Sequence, residues 1–337
     1  MIQRTFLQQL TEEGSKTMRV LAIDSSGLTA TVAVVEDEQT IAEYTVNYKK
    51  THSQTLLPMI DEVKKMIDLD LSSIDAIAVS GGPGSFTGLR IGSATAKGLG
   101  LALGRPLIHV PTVDALAYNV YGCGDLICPI MDARRKQVYT GLYSFSHEVK
   151  DGTHLTEATF HVEEQQMAIA VEELIGKLNA YKRPVVFLGD GVPVYRQMLE
   201  EGLEVPYSFA PSYMNRQRAA VVGALGIAYY YAGKYETAEA HKPDYLRVSQ
   251  AERERAQREK EAKTEVREMT IEDGAVVAEI EHQSFSDAWS EKAILETLEQ
   301  NNSVCFVAEK AGKRVGYLLG YTAVDEVEIA RIAVIDE

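Results

Sequence analysis

The sequence predicts an α/β protein of two similar halves followed by a smaller α+β segment, and three observations carry that expectation. Apolar, β-branched runs alternate with helical patterns through the first 248 residues. A second set of strands and helices opens at residue 126, after the first has closed. Residues 250–264, "QAERERAQREKEAKT", then contain no apolar residue larger than alanine before a new strand-and-helix pattern begins at about 265.

The runs "MRVLAIDSS", "TATVAVVED" and "TIAEYTVNY" read as three consecutive strands. A helix over 53–67 follows, with Leu56, Leu57, Ile60, Val63 and Ile67 on one face. Next come a strand at 75–80, a glycine-rich turn and helix, and a short strand at 107–110. Three strands, helix, strand and helix is the order of the ribonuclease-H-like unit of the actin and sugar-kinase superfamily, although many α/β domains share it. The second set has strands at 126–133, 137–145 and near 154–161. A helix over 163–178, a strand and turn at 184–191 and a helix over 214–232 complete it. Met18 sits directly before the first strand. The expected division is therefore an N-terminal extension (1–17), two halves (18–125 and 126–248), a charged linker (249–264) and a last segment (265–337).

Apolar residues make up 45% of the chain and charged residues 25%, ordinary for a globular protein. No apolar run reaches the length of a membrane span, and no signal-peptide core precedes Met18. The three cysteines (Cys123, Cys128, Cys305) form neither a disulfide frame nor a zinc pattern, so a reducing, cytoplasmic setting is expected. Net charge is −15; residues 250–337 hold 11 Lys+Arg against 20 Asp+Glu, leaving 23 against 29 for the rest, that is −9 and −6. That balance disfavours direct nucleic-acid binding.

Residues 79–104, "VSGGPGSFTGLRIGSATAKGLGLALG", hold eight glycines, most of them in a predicted helix, where each costs about 1 kcal/mol against alanine. Gly88, Gly92, Ala96, Gly100 and Gly104 recur every four residues and form a small-residue stripe on one face. Either a neighbour in the same domain or another subunit packs closely there. The turn Gly81-Gly82-Pro83-Gly84 is a candidate anion cradle at a helix N-terminus, although no Gly-Lys-Ser/Thr closes it as in a Walker A loop.

With "LAIDSS", "THSQTLLPMID", "GGPGSFTGLRIGSATAKGLGLALGRPLIHVPTVDALA" and "PDYLR" in this order, residues 18–248 resemble the TsaB family. Its members are partner subunits in bacterial synthesis of threonylcarbamoyladenosine (t6A), the modification beside the tRNA anticodon. The resemblance implies two ribonuclease-H-like halves and a non-catalytic scaffold that docks TsaD, the threonylcarbamoyl transferase. It also implies a TsaE-like ATPase in the complex, tRNA reached only through that complex, and a homodimer without the partner. By the same resemblance the docking surface comprises Gly88, Arg90, Gly92, Ser93, Ala96, Lys97 and Gly100, with His52, Leu56 and Ile60. TsaD holds its metal with a His-x-x-x-His pair; in "PLIHVPTVDALA" Thr112 and Leu116 stand there instead. The seven histidines never recur at metal spacing, so no metal ligand set is expected. Candidate nucleotide-binding residues are Asp24, Ser25 and Ser26 with Gly81, Gly82 and Gly84. The matching second loop, "MDARRKQVY", has Ala133 and Arg134 where a close-approach glycine is needed. ATP is thus expected at the complex only.

Residues 265–337 resemble the N-terminal half of the RimI family of GNAT acetyltransferases, through "REMTIEDGAVVAEIEHQSFSDAWS" and "VEIARIAVIDE". The acetyl-CoA pyrophosphate loop should follow "IAV" within about ten residues on that resemblance, and no such loop follows. The segment is therefore an incomplete GNAT-like sheet, with acetyl-CoA expected only where the domain is completed. A scaffold subunit is the leading expectation. A bifunctional fusion that also N-acetylates a ribosomal-protein N-terminus is the alternative, and an ATP-hydrolysing kinase relative is disfavoured by the second loop.

Overall fold

A computed structural model describes residues 17–37, 39–150, 154–156, 158–247 and 264–335. The expected N-terminal extension, except Thr17, and the charged linker, except Thr264, lie outside the described residues. The chain divides into two compact units, one reaching Arg247 and one running from Val248.

The first half of the first unit contains β1 (Arg19–Asp24), β2 (Ala30–Glu36), β3 (Gln39–Val46), α1 (His52–Met66), β4 (Ala76–Gly82), α2 (Phe86–Leu103), β5 (Leu107–Pro111) and α3 (Thr112–Tyr118). The sheet runs β3-β2-β1-β4-β5. β1, β2 and β3 pair antiparallel, while β1, β4 and β5 pair parallel. β1 and β4 are buried at nearly every position because both sheet faces are covered. Leu21, Ile23, Val32, Val34, Ile77 and Val79 pack on one face with Leu56, Met59, Ile60 and Val63 of α1. The alternate residues, Val20, Ala22, Ala78, Ile108 and Val110, face the other way.

The second half repeats the plan with β6 (Leu126–Asp132), β7 (Gln137–Ser146), a short ribbon β8 (Val149–Lys150) and β9 (His154–Leu155), β10 (Thr159–Ala170), α4 (Val171–Tyr181), β11 (Val185–Leu188), α5 (Val192–Gly202), β12 (Tyr207–Phe209) and α6 (Ala219–Tyr231). Its order is β10-β7-β6-β11-β12, again three antiparallel strands and then two parallel ones. The helix expected over 163–178 starts only at Val171, because Met167–Ala170 pair with Gln137–Thr140 of β7. Register shifts after Val162 and Glu164 carry the strand onward, and sheet pairing overrides the helical propensity of "EEQQMA".

Two helices join the halves. α6 crosses back to cover the far face of the first sheet with Ala219, Val222, Leu225 and Ile227. A Cβ on Gly223 would stand 2.5 Å from Val35 and one on Gly226 2.8 Å from Ala78, so both glycines permit close approach. α3 packs Ala115 on that face and Val113, Leu116 and Ala117 against Ile127, Tyr143 and Phe145 of the second sheet. At this seam the Tyr143 and Tyr229 hydroxyls donate to the two oxygens of buried Asp114, at 2.7 and 3.1 Å. Burial pushes the Asp114 carboxyl up despite those hydrogen bonds.

The second unit is a four-stranded antiparallel meander, β13 (Thr264–Glu268), β14 (Ser303–Lys310), β15 (Lys313–Ala323) and β16 (Glu326–Val334), covered by α7 (Gly274–Ser284) and α8 (Glu291–Leu298). Thr270 and Asp273 form a capping box, and Asp273 also accepts from Arg267 and Arg314. α8 was not expected from the sequence. Val327, Ile329, Ile332 and Val334 of β16 are exposed, and among the described residues no strand pairs with its outer edge. No described helix is long and apolar enough to cross a membrane.

Candidate functional site

The six candidate nucleotide-binding residues do come together, where the end of β1 meets the turn between β4 and α2. Ser26 donates to Asp24 Oδ1 from its backbone N–H and its hydroxyl, at 2.8 and 2.7 Å, and the Ser80 hydroxyl donates to Oδ2. Burial raises the Asp24 carboxyl, opposed by these hydrogen bonds. The Ser85 N–H donates to the Ser26 carbonyl at 2.6 Å, and the Ser25 hydroxyl to the Gly88 carbonyl at 2.9 Å. A Cβ on Gly84 would lie 2.3 Å from that Ser26 oxygen. The glycines of this turn thus admit the chain's own first loop. The Asp24 carboxyl and the Ser25 and Ser26 hydroxyls thus all have partners within the fold.

The glycine stripe of α2 packs within its own domain in the same way. Gly88, Gly92, Ser93, Ala96 and Gly100 are buried, as are Leu56 and Ile60 of α1. A Cβ on Gly88 would stand 2.0 Å from the Ser25 carbonyl oxygen, on Gly92 2.5 Å from Ser25 Oγ, and on Gly100 2.4 Å from Leu107. The close neighbour that the stripe requires is in its own domain. Of the other expected docking residues, Arg90 lies over the Phe86 ring at 3.9 Å and donates to the Tyr245 hydroxyl. Lys97 donates to the carbonyls of Glu239 and His241. His52 Nε2 donates to the Gly27 carbonyl at 2.8 Å.

The opposite face of α2 was missed, though its spacing was readable. Arg90, Ala94, Gly98, Leu101 and Ala102 are exposed and fall on one face, and Ala94, Gly98 and Ala102 repeat every four residues. Among the described residues, no atom outside the helix's own neighbouring backbone lies within 4 Å of where a Gly98 Cβ would be. Gly98 bears the helical penalty of glycine, about 1 kcal/mol, with no contact among the described residues to offset it. Exposed Leu57 of α1 adds apolar surface in the same half.

In the second half the loop after β6 holds Arg134, Arg135 and Lys136 at φ of 65°, 55° and 56°, left-handed values unfavourable for side chains with a Cβ. Asp132 anchors it, accepting from the Tyr195 hydroxyl and the Arg134 N–H at 2.7 and 2.8 Å. The "PDYLR" motif is a strap across the halves. The Asp244 N–H donates to the Gly81 carbonyl, the Tyr245 ring lies 4.8 Å from Phe86, and Arg247 donates to the Ala133 carbonyl. Thr112 and Leu116 are wholly buried at the start of α3. The histidines, isolated in sequence, do meet in space: His109 and His241 join Glu236 with candidate ligand atoms within 4.8 Å of one another.

Two sheets of one plan, joined by α3 and α6 and strapped at their loops, define an α/β protein of the ribonuclease-H-like, actin and sugar-kinase type. Comparison with known proteins narrows the class. The TsaD family profile, tRNA N6-adenosine threonylcarbamoyltransferase, matches residues 39–255. The tRNA threonylcarbamoyladenosine biosynthesis protein TsaB of Bacillus subtilis is 34% identical over 237 residues, 70% of this chain and 96% of that protein. TsaB of Haemophilus influenzae is 30% identical over 196 residues, 55% of this chain and 78% of its own. Among solved structures, YeaZ from Pseudomonas aeruginosa aligns with TM-score 0.53 and 27% identity, covering 68% of this chain and 100% of that one. The chain belongs to the TsaB family.

Proposed function

We propose that this chain serves t6A biosynthesis as a non-catalytic scaffold that docks a TsaD-type transferase through the outer face of α2. The observation that carries the docking surface is Gly98: an exposed helical glycine that no described residue packs against, between Ala94 and Ala102 at four-residue spacing. A partner helix laid along that groove would gain the close packing that small residues permit. Arg90, Leu101 and exposed Leu57 border the same surface. Without a partner, a second copy of the chain would use the same face. The packed first loop and the buried Thr112 and Leu116 favour a scaffold over a transferase or a kinase. ATP, a TsaE-like ATPase and cytoplasmic tRNA then enter through the assembled complex.

Reconstituted t6A formation with a TsaD-type protein tests this reading. Modification should depend on added chain and survive removal of residues from 248 onward, because the docking face lies wholly in the first unit. An equal rate without the chain would contradict it. A second reading concerns that last unit, whose strand–helix–helix–strand–strand–strand order favours an acetyltransferase-like beginning; acetyl-CoA binding is its probe.

A further inference from the structure

We infer that the first unit binds one divalent cation of the zinc class through His109 and His241, with Asp244 as carboxylate ligand and Glu236 as the group that orients His241. The site lies where β5 meets the strap formed by residues 236–245, and it requires only this chain and the ion. His241 has a side chain fully shielded from solvent, and its Nδ1 donates to Glu236 Oε1 at 2.8 Å. That hydrogen bond fixes the tautomer and leaves Nε2 with a bare lone pair. The same Nε2 is buried with no hydrogen-bond partner. A carboxylate behind an imidazole whose far nitrogen is free is the arrangement by which proteins orient histidine ligands.

His109 supplies the second nitrogen. Its Nε2 is also buried and without a hydrogen bond, yet it stands 3.3 Å from Asp244 Oδ2. The two rings are 5.6 Å apart between centroids. A shielded ring nitrogen beside a carboxylate, with a second imidazole close by, is a donor set suited to a cation. Two histidine nitrogens and a carboxylate oxygen suit zinc, which leaves a coordination position for water. Asp244, with its side chain half exposed, opens the site to solvent, and Gln166 donates to the same oxygen at 3.5 Å. The backbone is shaped around the group: a Cβ on Gly81 would fall 2.0 Å from the His109 ring. The Glu236 N–H donates to the Leu107 carbonyl and the Asp244 N–H to the Gly81 carbonyl, so the ion would fasten a strap already pinned at both ends.

The test is calorimetric titration of the chelator-stripped full chain with Zn2+ alone. One equivalent should bind and raise the melting temperature, and Co2+ in its place should give the visible absorption of a low-coordinate site. Glu236→Gln should weaken binding by about 10–100-fold. His109→Gln and His241→Gln should abolish it. His109→Gln and Asp244→Asn change partly exposed side chains, so the test stands even where His241→Gln fails to fold. Absence of Zn2+ binding by the wild type, or binding undiminished in folded His109→Gln, would overturn the inference.

Discussion

The two halves of the first unit share a strand order and differ in how their loops are closed. In the first half, Gly84 and Gly88 lie against the carbonyls of Ser26 and Ser25. In the second, Gly189 and Gly191 lie against the Ile130 carbonyl in the corresponding place after β11. Both halves thus use glycine to press the fourth-strand turn onto the first strand. They part company at the other loop and at the following helix. Only the second half forces Arg134, Arg135 and Lys136 into left-handed backbone, and only the first half follows its fourth strand with an 18-residue helix small on both faces. The packing at the fourth-strand turn is alike in the two halves, and the outer surface of α2 is where they differ.

The largest effect should come from filling the packed loop. Gly88→Ala sets a methyl against backbone that has no room to yield, and should destabilise the first unit by about 3 kcal/mol in urea unfolding. Ala96→Leu, on the same buried face, should lose fold and association together. Arg135→Gly should act in the opposite sense, stabilising by about 1 kcal/mol, because glycine adopts positive φ without the Cβ clash. An unchanged midpoint there would mean that the turn is not strained in solution.

The helix also shows what the sequence could and could not convey. Four-residue spacing located the stripe Gly88-Gly92-Ala96-Gly100, but spacing cannot say which neighbour lies opposite, and the neighbour proved to be Ser25 and Leu107. The second stripe, Ala94-Gly98-Ala102, was equally legible and overlooked because its members are interleaved with the first. Strand order in both halves followed from apolar runs. The strand end at Ala170 did not, since it depends on pairing with β7. The His109–Glu236–His241 group joins residues more than a hundred positions apart, beyond the reach of local spacing.

A smaller effect should appear at the seam. Asp24, Asp114 and Asp190 are all raised, chiefly by burial. A carboxyl raised in the folded state contributes stability that is fully present below its unfolded value and lost as pH rises through the folded one. Stability should therefore fall as pH climbs out of the ordinary carboxylate range. Asp114→Asn, which keeps an acceptor for Tyr143, should flatten that fall, and an unaltered pH profile would remove Asp114 from the account.

The most direct measurement is the affinity of this chain for a TsaD-type partner, wild type against Gly98→Leu, each checked for its melting temperature. The space beside Gly98 is open among the described residues, so the variant should melt no lower than wild type. Partner binding should nevertheless weaken by about 30-fold or more, the equivalent of ~2 kcal/mol at an interface centre. Unchanged affinity in a fully folded Gly98→Leu protein would contradict the assignment of the outer face of α2 as the docking surface.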